Sequence, residues 1–572
     1  MKKKLLAVSC LALASAFAFG SCSFGGGDDS SGSTSGGGSS KTIAAPLTIE
    51  GFDTSYNPAS DLIEKKSGVI DVVLVFEDSL KGWEALAAEY SRLHGGSVVV
   101  QLNSIYTDAS VYQQNLSYEV QSNDIKWDIV QGNLFQSNGL QENCINMNTA
   151  VNDENAYAGT VDGEVRTWAE VLTEDAYLTD KSGSSFNTYI MNSEGLQTAW
   201  FVNDVARDAA IAQGYTGSEN PATWDELMDL CKYMEKAGYE NPLGIALDKD
   251  SIGASQFTWL LRVYGDYYYR QEYQNIMLSE DFVYDPTSTN PESFMGYGVS
   301  ANKFFYSIFA NKDAMNYVGP ESARFKDFIS QFAKMKPYLR TSAADGTQSG
   351  LAVLRSKFAT QSEGTNSPQI LLDYAGAGLK FQANETASFK VDFFDYPVME
   401  PDDTSVEIRS NTVLRDVGGN GGYLSILHQN ETQDALNLDF LKFVVSPYGQ
   451  SIYYRALEAA GSVPMGMTTV VNDTVVIPQA WETFFKTDKI TFNGLVDSNP
   501  YISYLIRTFC DEEKTTAQAI VNWQTYLTTD TMDTNGYVVN WVNAMEEDWK
   551  TYCARYGKAE TLRTDRNGNV AL

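Results

Sequence analysis

The side chains able to do chemistry in this sequence are carboxylates, amides and aromatic rings rather than thiols or imidazoles. The 572 residues hold 6 Cys and 2 His. Cys144, Cys231, Cys510 and Cys553 are scattered without CxxC spacing, and only His94 and His428 stand by to join them, so no zinc pattern forms and no metal or cofactor is expected. Cys510 and Cys553, near two C-terminal helices, are the better candidates for a disulfide, with buried thiols as the alternative. Glu77 and Glu194 would serve as a paired acid and base, although 73 acidic residues supply such pairs by chance. Gln131 and Asn133 each offer a donor and an acceptor. The run Gly418-Gly419-Asn420-Gly421-Gly422 lets backbone amides approach a ligand closely, and Tyr423 follows it with a ring. No Gly-Lys-Ser or Gly-Lys-Thr follows, which argues against phosphate.

These residues must be positioned by regular elements. Ile70 to Phe76 is a continuous apolar run, read as a strand buried on both faces. A helix from Trp83 to His94 and a strand from Val98 to Leu102 follow it. Strand, helix, strand predicts a parallel α/β sheet whose ligands meet the carboxyl ends of the strands, where Glu77 and Asp78 fall. Trp127 to Asn133 runs from an apolar pair into polar residues, placing Gln131 and Asn133 where another strand stops. Residues 142–185 are polar with weak periodicity and read as an elaboration. Further strands are expected at Asn187 to Met191, Gly244 to Leu247, Gln369 to Tyr374 and Val391 to Pro397. Helices are expected at Gln256 to Tyr268, Phe325 to Met335, Asp434 to Val444, Tyr501 to Cys510, Thr515 to Leu527 and Val538 to Tyr556.

The stretch Gln197 to Leu227 is the most explicit. Thr198 to Val202 is aromatic and β-branched, as a buried strand requires. Asp204 is read as the cap of an Ala-rich helix ending at Gly214, and Pro221 closes the loop. In Pro221-Ala222-Thr223-Trp224-Asp225-Glu226-Leu227, Thr223 is the N-cap and Glu226 completes a capping box. This order of parts, with the Gly-Gly-Asn-Gly-Gly region, the helix after it and Gly461-Ser462-Val463-Pro464, resembles the extracellular sugar-binding proteins that serve ABC importers (family 1 type). The resemblance runs from about Ile70 to Tyr556.

The resemblance implies a two-lobed periplasmic-binding-protein-like α/β fold (type II), with hinge crossings near Met191, Leu372 and Ile426. Its expected layout is a signal peptide at 1–21, a lipidated Cys22 with a flexible tether at 22–67, and lobe 1 at 68–190. Lobe 2 follows at 191–372, a return to lobe 1 at 373–425, and lobe 2 with the C-terminal helices at 426–572. The implied ligand contacts are Glu77, Gln131, Asn133, Glu194, Trp259, Tyr374, Gly422 and Tyr423. Rings and amides together suit a carbohydrate, whose C–H faces pack on rings while its hydroxyls need polar partners. Trp259 also fits a core position, since aromatic residues at helical spacing serve either purpose. Residues 271–319 lie outside the resemblance and are expected to decorate lobe 2.

The N-terminus agrees with that picture. Lys2, Lys3 and Lys4 precede an apolar run from Leu5 to Phe19, and Phe19-Gly20-Ser21-Cys22 ends like a lipobox, with Phe19 in place of the usual Leu. Ser23 to Ser40 is almost entirely Gly, Ser and Asp, which suits a tether. No later run approaches the roughly 20 apolar residues of a membrane span. A net charge of -32 excludes nucleic acid as a partner. The expected partners are a carbohydrate, an ABC permease and the membrane through the lipid, with the protein extracytoplasmic. No catalysis is expected of such a binder. A secreted carbohydrate-active enzyme and a ligand-sensing partner of a membrane receptor are the competing readings.

Overall fold

The computed structural model describes residues 43–74, 79–104, 109–122, 124–131, 143–173, 176–179, 188–195, 198–247, 256–270, 306–310, 319–341, 350–382, 389–408, 414, 416–417, 423–464, 466–485, 495–496 and 521–556. The expected signal peptide, Cys22, Cys510, the helix at Tyr501 to Cys510 and nearly all of 271–319 lie outside them. The described residues form two compact units. Those of Met1–Leu178, Asn187–Gly195 and Asn420–Phe485 make the first, and those of Thr179–Phe186, Leu196–Gly419 and Lys486–Leu572 make the second.

The first unit opens with β1 (Gly68–Leu74), α1 (Leu80–Leu93), β2 (Val98–Ser104), α2 (Ala109–Ser122) and β3 (Ile129–Gln131). Strand β1 pairs in parallel with both β2 and β3, as the strand, helix, strand pattern requires. Only the second half of β1 is buried throughout; Val69 is exposed, so the strand is not covered on both faces along its length. Asp128, just before β3, accepts the Asp71 backbone N–H at 2.8 Å and so ties β3 to β1. Burial pushes its carboxyl up, partly offset by that bond and by one from Asn437. The short strands β4 (Tyr177–Thr179), β5 (Thr188–Asn192) and β6 (Glu194–Gly195) complete this stretch.

The second unit follows with β7 (Thr198–Asn203), α3 (Asp204–Ala212), α4 (Trp224–Lys236), β8 (Leu243–Ile245), α5 (Gln256–Tyr269), α6 (Ala323–Ala333), β9 (Leu339–Thr341), α7 (Gly350–Thr360), β10 (Ile370–Tyr374), α8 (Ala375–Gln382) and β11 (Val391–Phe394). Its five-stranded sheet has the order β9-β8-β10-β7-β11. Every residue of β7 is buried, which accounts for its aromatic and β-branched composition. The cap of α3 is Asn203, whose side chain accepts the Val205 N–H; Asp204 is the first helical residue and instead accepts the Lys390 N–H. Gly214, at φ 98°, takes the left-handed turn after α3. Thr223 caps α4 as expected, accepting the Glu226 N–H at 3.2 Å, while Glu226 reaches back to the Ala222 N–H at 2.7 Å. In α8, Gly378 lies so close to the Phe201 ring that a Cβ would overlap it.

The chain then re-enters the first unit with β12 (Tyr423–Ile426), α9 (Glu431–Val444), α10 (Pro447–Ala459) and β13 (Met467–Thr468), before α11 (Thr534–Tyr556) in the second unit. The first sheet is six-stranded, in the order β2-β1-β3-β12-β5-β4.

Three expectations about the layout need correction. Strand β10 lies inside the second sheet, with Leu372 opposite Trp200, so Leu372 marks no crossing and the return to the first unit, expected over 373–425, comes only at Asn420. Residues 426–485 belong to the first unit, because β12 pairs with β3 and β5. The tether does not extend to residue 67: Ile43, Ile49 and Ile63 are buried, the Leu47 N–H donates to the Tyr448 hydroxyl at 2.5 Å, and Arg92 donates to the Ala45 carbonyl at 2.7 Å. Cys144 in the first unit and Cys231 and Cys553 in the second are all buried.

Several phenols are buried in these cores, and burial is the main reason that Tyr90, Tyr157, Tyr264, Tyr454 and Tyr537 are raised well above the usual value of 10.0. In the unfolded chain the same tyrosines ionise near pH 10, as free phenols do. The stability they contribute is therefore complete below about pH 10 and is lost as the pH rises beyond it. Urea unfolding followed from about pH 8 to about pH 11 will show a steep fall above pH 10; a flat profile across that interval would contradict it.

Candidate functional site

Two of the expected contacts stand at one edge of the first sheet, and a third lies just beyond it. Gln131 ends β3 and lies opposite Leu424, which in turn lies opposite Met191. The next row outward pairs Tyr423 with Asn192. That edge is the carboxyl end of the parallel strands β1, β2 and β3, where ligands bind in open α/β sheets. Glu194 stands two residues beyond the end of β5, its backbone paired with Thr468 across β6 and β13. Gln131 is 2% and Glu194 3% exposed, so each is held by its surroundings rather than standing free in solvent. The Glu194 carboxylate adds to the effect of burial in raising the Tyr454 phenol. Glu77, Asn133 and Gly422 lie outside the described residues, in the segments that continue from β1 and β3 and lead into β12. For Tyr423 the backbone is described.

Tyr374 ends β10 at the corresponding edge of the second sheet, opposite Thr198. The Thr198 and Tyr396 hydroxyls are 2.7 Å apart. Tyr264 donates to the Pro397 carbonyl at 2.9 Å, which holds the chain after β11 against α5. At 6% exposure, Tyr374 presents little of its ring; the Arg355 guanidinium carbon lies 5.0 Å from the ring centroid. Asp373, fully buried beside it, is held by Arg355 through two bonds of 2.8 Å. This pair is not among the residues expected from the sequence. Its signal was a carboxylate inside the apolar run Ile370-Leu371-Leu372-Asp373, which demands a partner.

Trp259 is a correction. It is 1% exposed within α5, a helix buried on almost every side, so its ring faces are covered by protein. The helical spacing of aromatic residues marked a core. Its indole Nε1 and the Nε2 of Gln256, one turn earlier, are buried without hydrogen-bond partners among the described residues.

No protein-family model matches the sequence, and no curated protein matches it either. Solved structures do. UgpB from Mycobacterium tuberculosis, determined with glycerophosphocholine, superposes with a TM-score of 0.51 at 11% identity, covering 86% of this chain and 100% of that one. The fold is two-lobed and periplasmic-binding-protein-like. Apo RafE from Streptococcus pneumoniae is similar at TM-score 0.49 and 15% identity, over 84% of this chain and 98% of that one. BlMnBP1 from Bifidobacterium animalis subsp. lactis, a binding protein of an ABC transporter in complex with mannobiose, is similar at 0.47 and 12%, over 88% and 99%. Among the described residues no helix is long and apolar enough to cross a membrane.

Proposed function

We propose that this chain is an extracytoplasmic solute-binding lipoprotein that captures a sugar or oligosaccharide between its lobes and delivers it to an ABC importer. The observation that carries the reading is an amide, Gln131, and a tyrosine position, Tyr423, at the carboxyl edge of the first sheet, with the Glu194 carboxylate two residues beyond the end of β5, in this fold. Binding of this kind needs no chemistry: a ligand with higher affinity for the closed state shifts the population toward it. Thermal-shift screening with raffinose, maltotriose, mannobiose and glycerophosphocholine tests it, because a ligand of the native state at a hundredfold excess over Kd adds about 2.7 kcal/mol of stability. A response to glycerophosphocholine alone would refute the sugar reading. Turnover of an oligosaccharide by the purified protein would instead favour the enzyme reading, with Glu77 and Glu194 as its carboxylates.

Tyr423 is the first residue to test. Ring stacking with desolvation contributes on the order of 1 to 3 kcal/mol, so Tyr423→Ala will weaken sugar binding by roughly tenfold to a hundredfold. Titration calorimetry of the folded variant measures this; unchanged affinity removes Tyr423 from the site. For the anchor, Cys22→Ala will move the protein from the membrane to the soluble fraction, since stable attachment needs more than one acyl chain. Membrane fractionation that is the same for both proteins would rule out lipidation at Cys22.

A further inference from the structure

Residues 43–66 precede β1, and the first unit grips them at several points between Ala45 and Lys66. The Leu47 N–H donates to the Tyr448 hydroxyl, which in turn donates to Glu89 Oε1, both at 2.5 Å. Glu89, on α1, is buried and takes a side-on fork from Arg92, Nε to Oε2 at 2.5 Å and Nη2 to Oε1 at 2.6 Å. Arg92 Nη2 also donates to the Ala45 carbonyl at 2.7 Å, so one buried carboxylate fixes both groups that hold this end of the segment. Further along, the Arg166 guanidinium carbon lies 4.2 Å from the Tyr56 ring centroid, and Nη1 donates to the Ser55 carbonyl at 2.8 Å and to the Thr160 carbonyl at 2.6 Å. Gly159, at φ 79°, comes so close to the backbone of Ser55 and Tyr56 that a Cβ would overlap it. The Ala59 N–H donates to the Ala156 carbonyl at 2.8 Å, and at the far end the Lys66 N–H donates to His94 Nδ1 at 3.2 Å.

The place of these contacts matters as much as their number. Arg92 stands in the last turn of α1 and His94 just after it. Helix α1 leads from the end of β1 back to the start of its parallel neighbour β2, so its last turn lies at the amino edge of the first sheet. Gln131 and Tyr423 lie at the opposite, carboxyl edge. We infer that residues 43–66 are a strap, fastened into a built dock on the first unit, that brings an N-terminal lipid anchor to the amino edge of this sheet and leaves the ligand edge clear of it. The inference rests on the lipoprotein reading and adds the point at which the anchor pulls. Fastening leaves about 20 residues between Cys22 and the strap instead of about 45, and a Gly- and Ser-rich chain of that length spans about 25 Å rather than about 37 Å.

The test is limited proteolysis of the full chain by chymotrypsin, followed by mass spectrometry at the Phe52 bond, with a synthetic peptide of residues 43–66 as the unfastened reference. A backbone held by its surroundings is cut only when it opens locally. The wild-type protein will be cut at least a hundredfold more slowly than the peptide, and equally slowly in the membrane-attached form and in Cys22→Ala. Arg166→Ala will raise the rate tenfold or more while the unfolding temperature stays within a few degrees. If that variant does not fold, Tyr56→Ala, on the strap itself, will show the same rise. Cutting of the wild-type protein at the peptide's rate, protection confined to the membrane-attached form, or wild-type protection in a folded Arg166→Ala or Tyr56→Ala protein overturns the inference, and fractionation that still depends on Cys22 then keeps the lipoprotein reading. A protected strap in a protein whose fractionation ignores Cys22→Ala overturns the lipoprotein reading and, with it, the role given to the strap.

Discussion

Replacing Trp224 with Ala will destabilise the second unit by about 3 to 5 kcal/mol, the range for truncating a large buried aromatic side chain. Trp224 opens α4 and is almost fully buried. Its ring lies 5.2 Å from that of Tyr264, 6.2 Å from Phe332 and 6.4 Å from Trp200, so one side chain joins α4 to α5, α6 and β7. Its indole N–H donates to the Gln331 carbonyl at 3.0 Å, and removal strands that acceptor inside the core. A unit of this size loses roughly 2 to 4 °C per kcal/mol, so its unfolding transition will fall by about 10 °C. Differential scanning calorimetry will resolve it; a shift under about 2 °C would show that the neighbours collapse into the vacated space.

The second large effect belongs to the first unit. Asp439 accepts hydrogen bonds from two tyrosines on the same carboxylate oxygen, Tyr90 at 2.6 Å and Tyr157 at 2.7 Å. Both phenols are buried, and His94 Nε2 lies 3.0 Å from the Tyr157 hydroxyl. His94 Nδ1 accepts the Lys66 backbone N–H at 3.2 Å, which places the imidazole proton on Nε2 and makes it the donor to Tyr157. The network therefore runs in one direction, from histidine through tyrosine to carboxylate, and ties α1, α9 and the segment around residue 157 together. Hydrogen bonds to a charged group are worth about 1.5 to 3 kcal/mol each, so Asp439→Ala will cost about 3 to 5 kcal/mol. Asp439→Asn keeps one acceptor and will cost less. Urea unfolding of the two variants tests the order, and equal losses would mean that the acceptor kept in Asn contributes nothing and that the carboxylate charge carries the whole effect.

Much of the local architecture was legible because it is written in short-range patterns. The strand at Thr198 was evident from its composition, the capping of α4 from Thr223 and Glu226, and the parallel β1, β2 pairing from the strand, helix, strand order. Where local rules compete, the reading slipped by one residue. Asn203 and Asp204 are both good caps, and Asn203 holds the position because Asp204 is drawn to the Lys390 backbone N–H. Aromatic spacing in α5 was compatible with a core or a binding face, and only burial on nearly every side of that helix decided for the core.

By itself, then, the sequence determined most element types, the cap of α4, the α/β class and the polar residues at Gln131 and Glu194, all of which depend on residues a few positions apart. The tertiary structure alone decided that β10 joins the second sheet and β12 the first, and that the segment around Leu47 is held against Tyr448. It also decided that Arg355 and Asp373 meet. An apolar run such as Ile370-Leu371-Leu372 will bury itself in either sheet with similar gain, so its destination follows from hydrogen-bonded partners that are distant in the chain. Those partners, Trp200 and Ala199 for β10 and Gln131 for β12, are brought into register only when the whole sheet has formed.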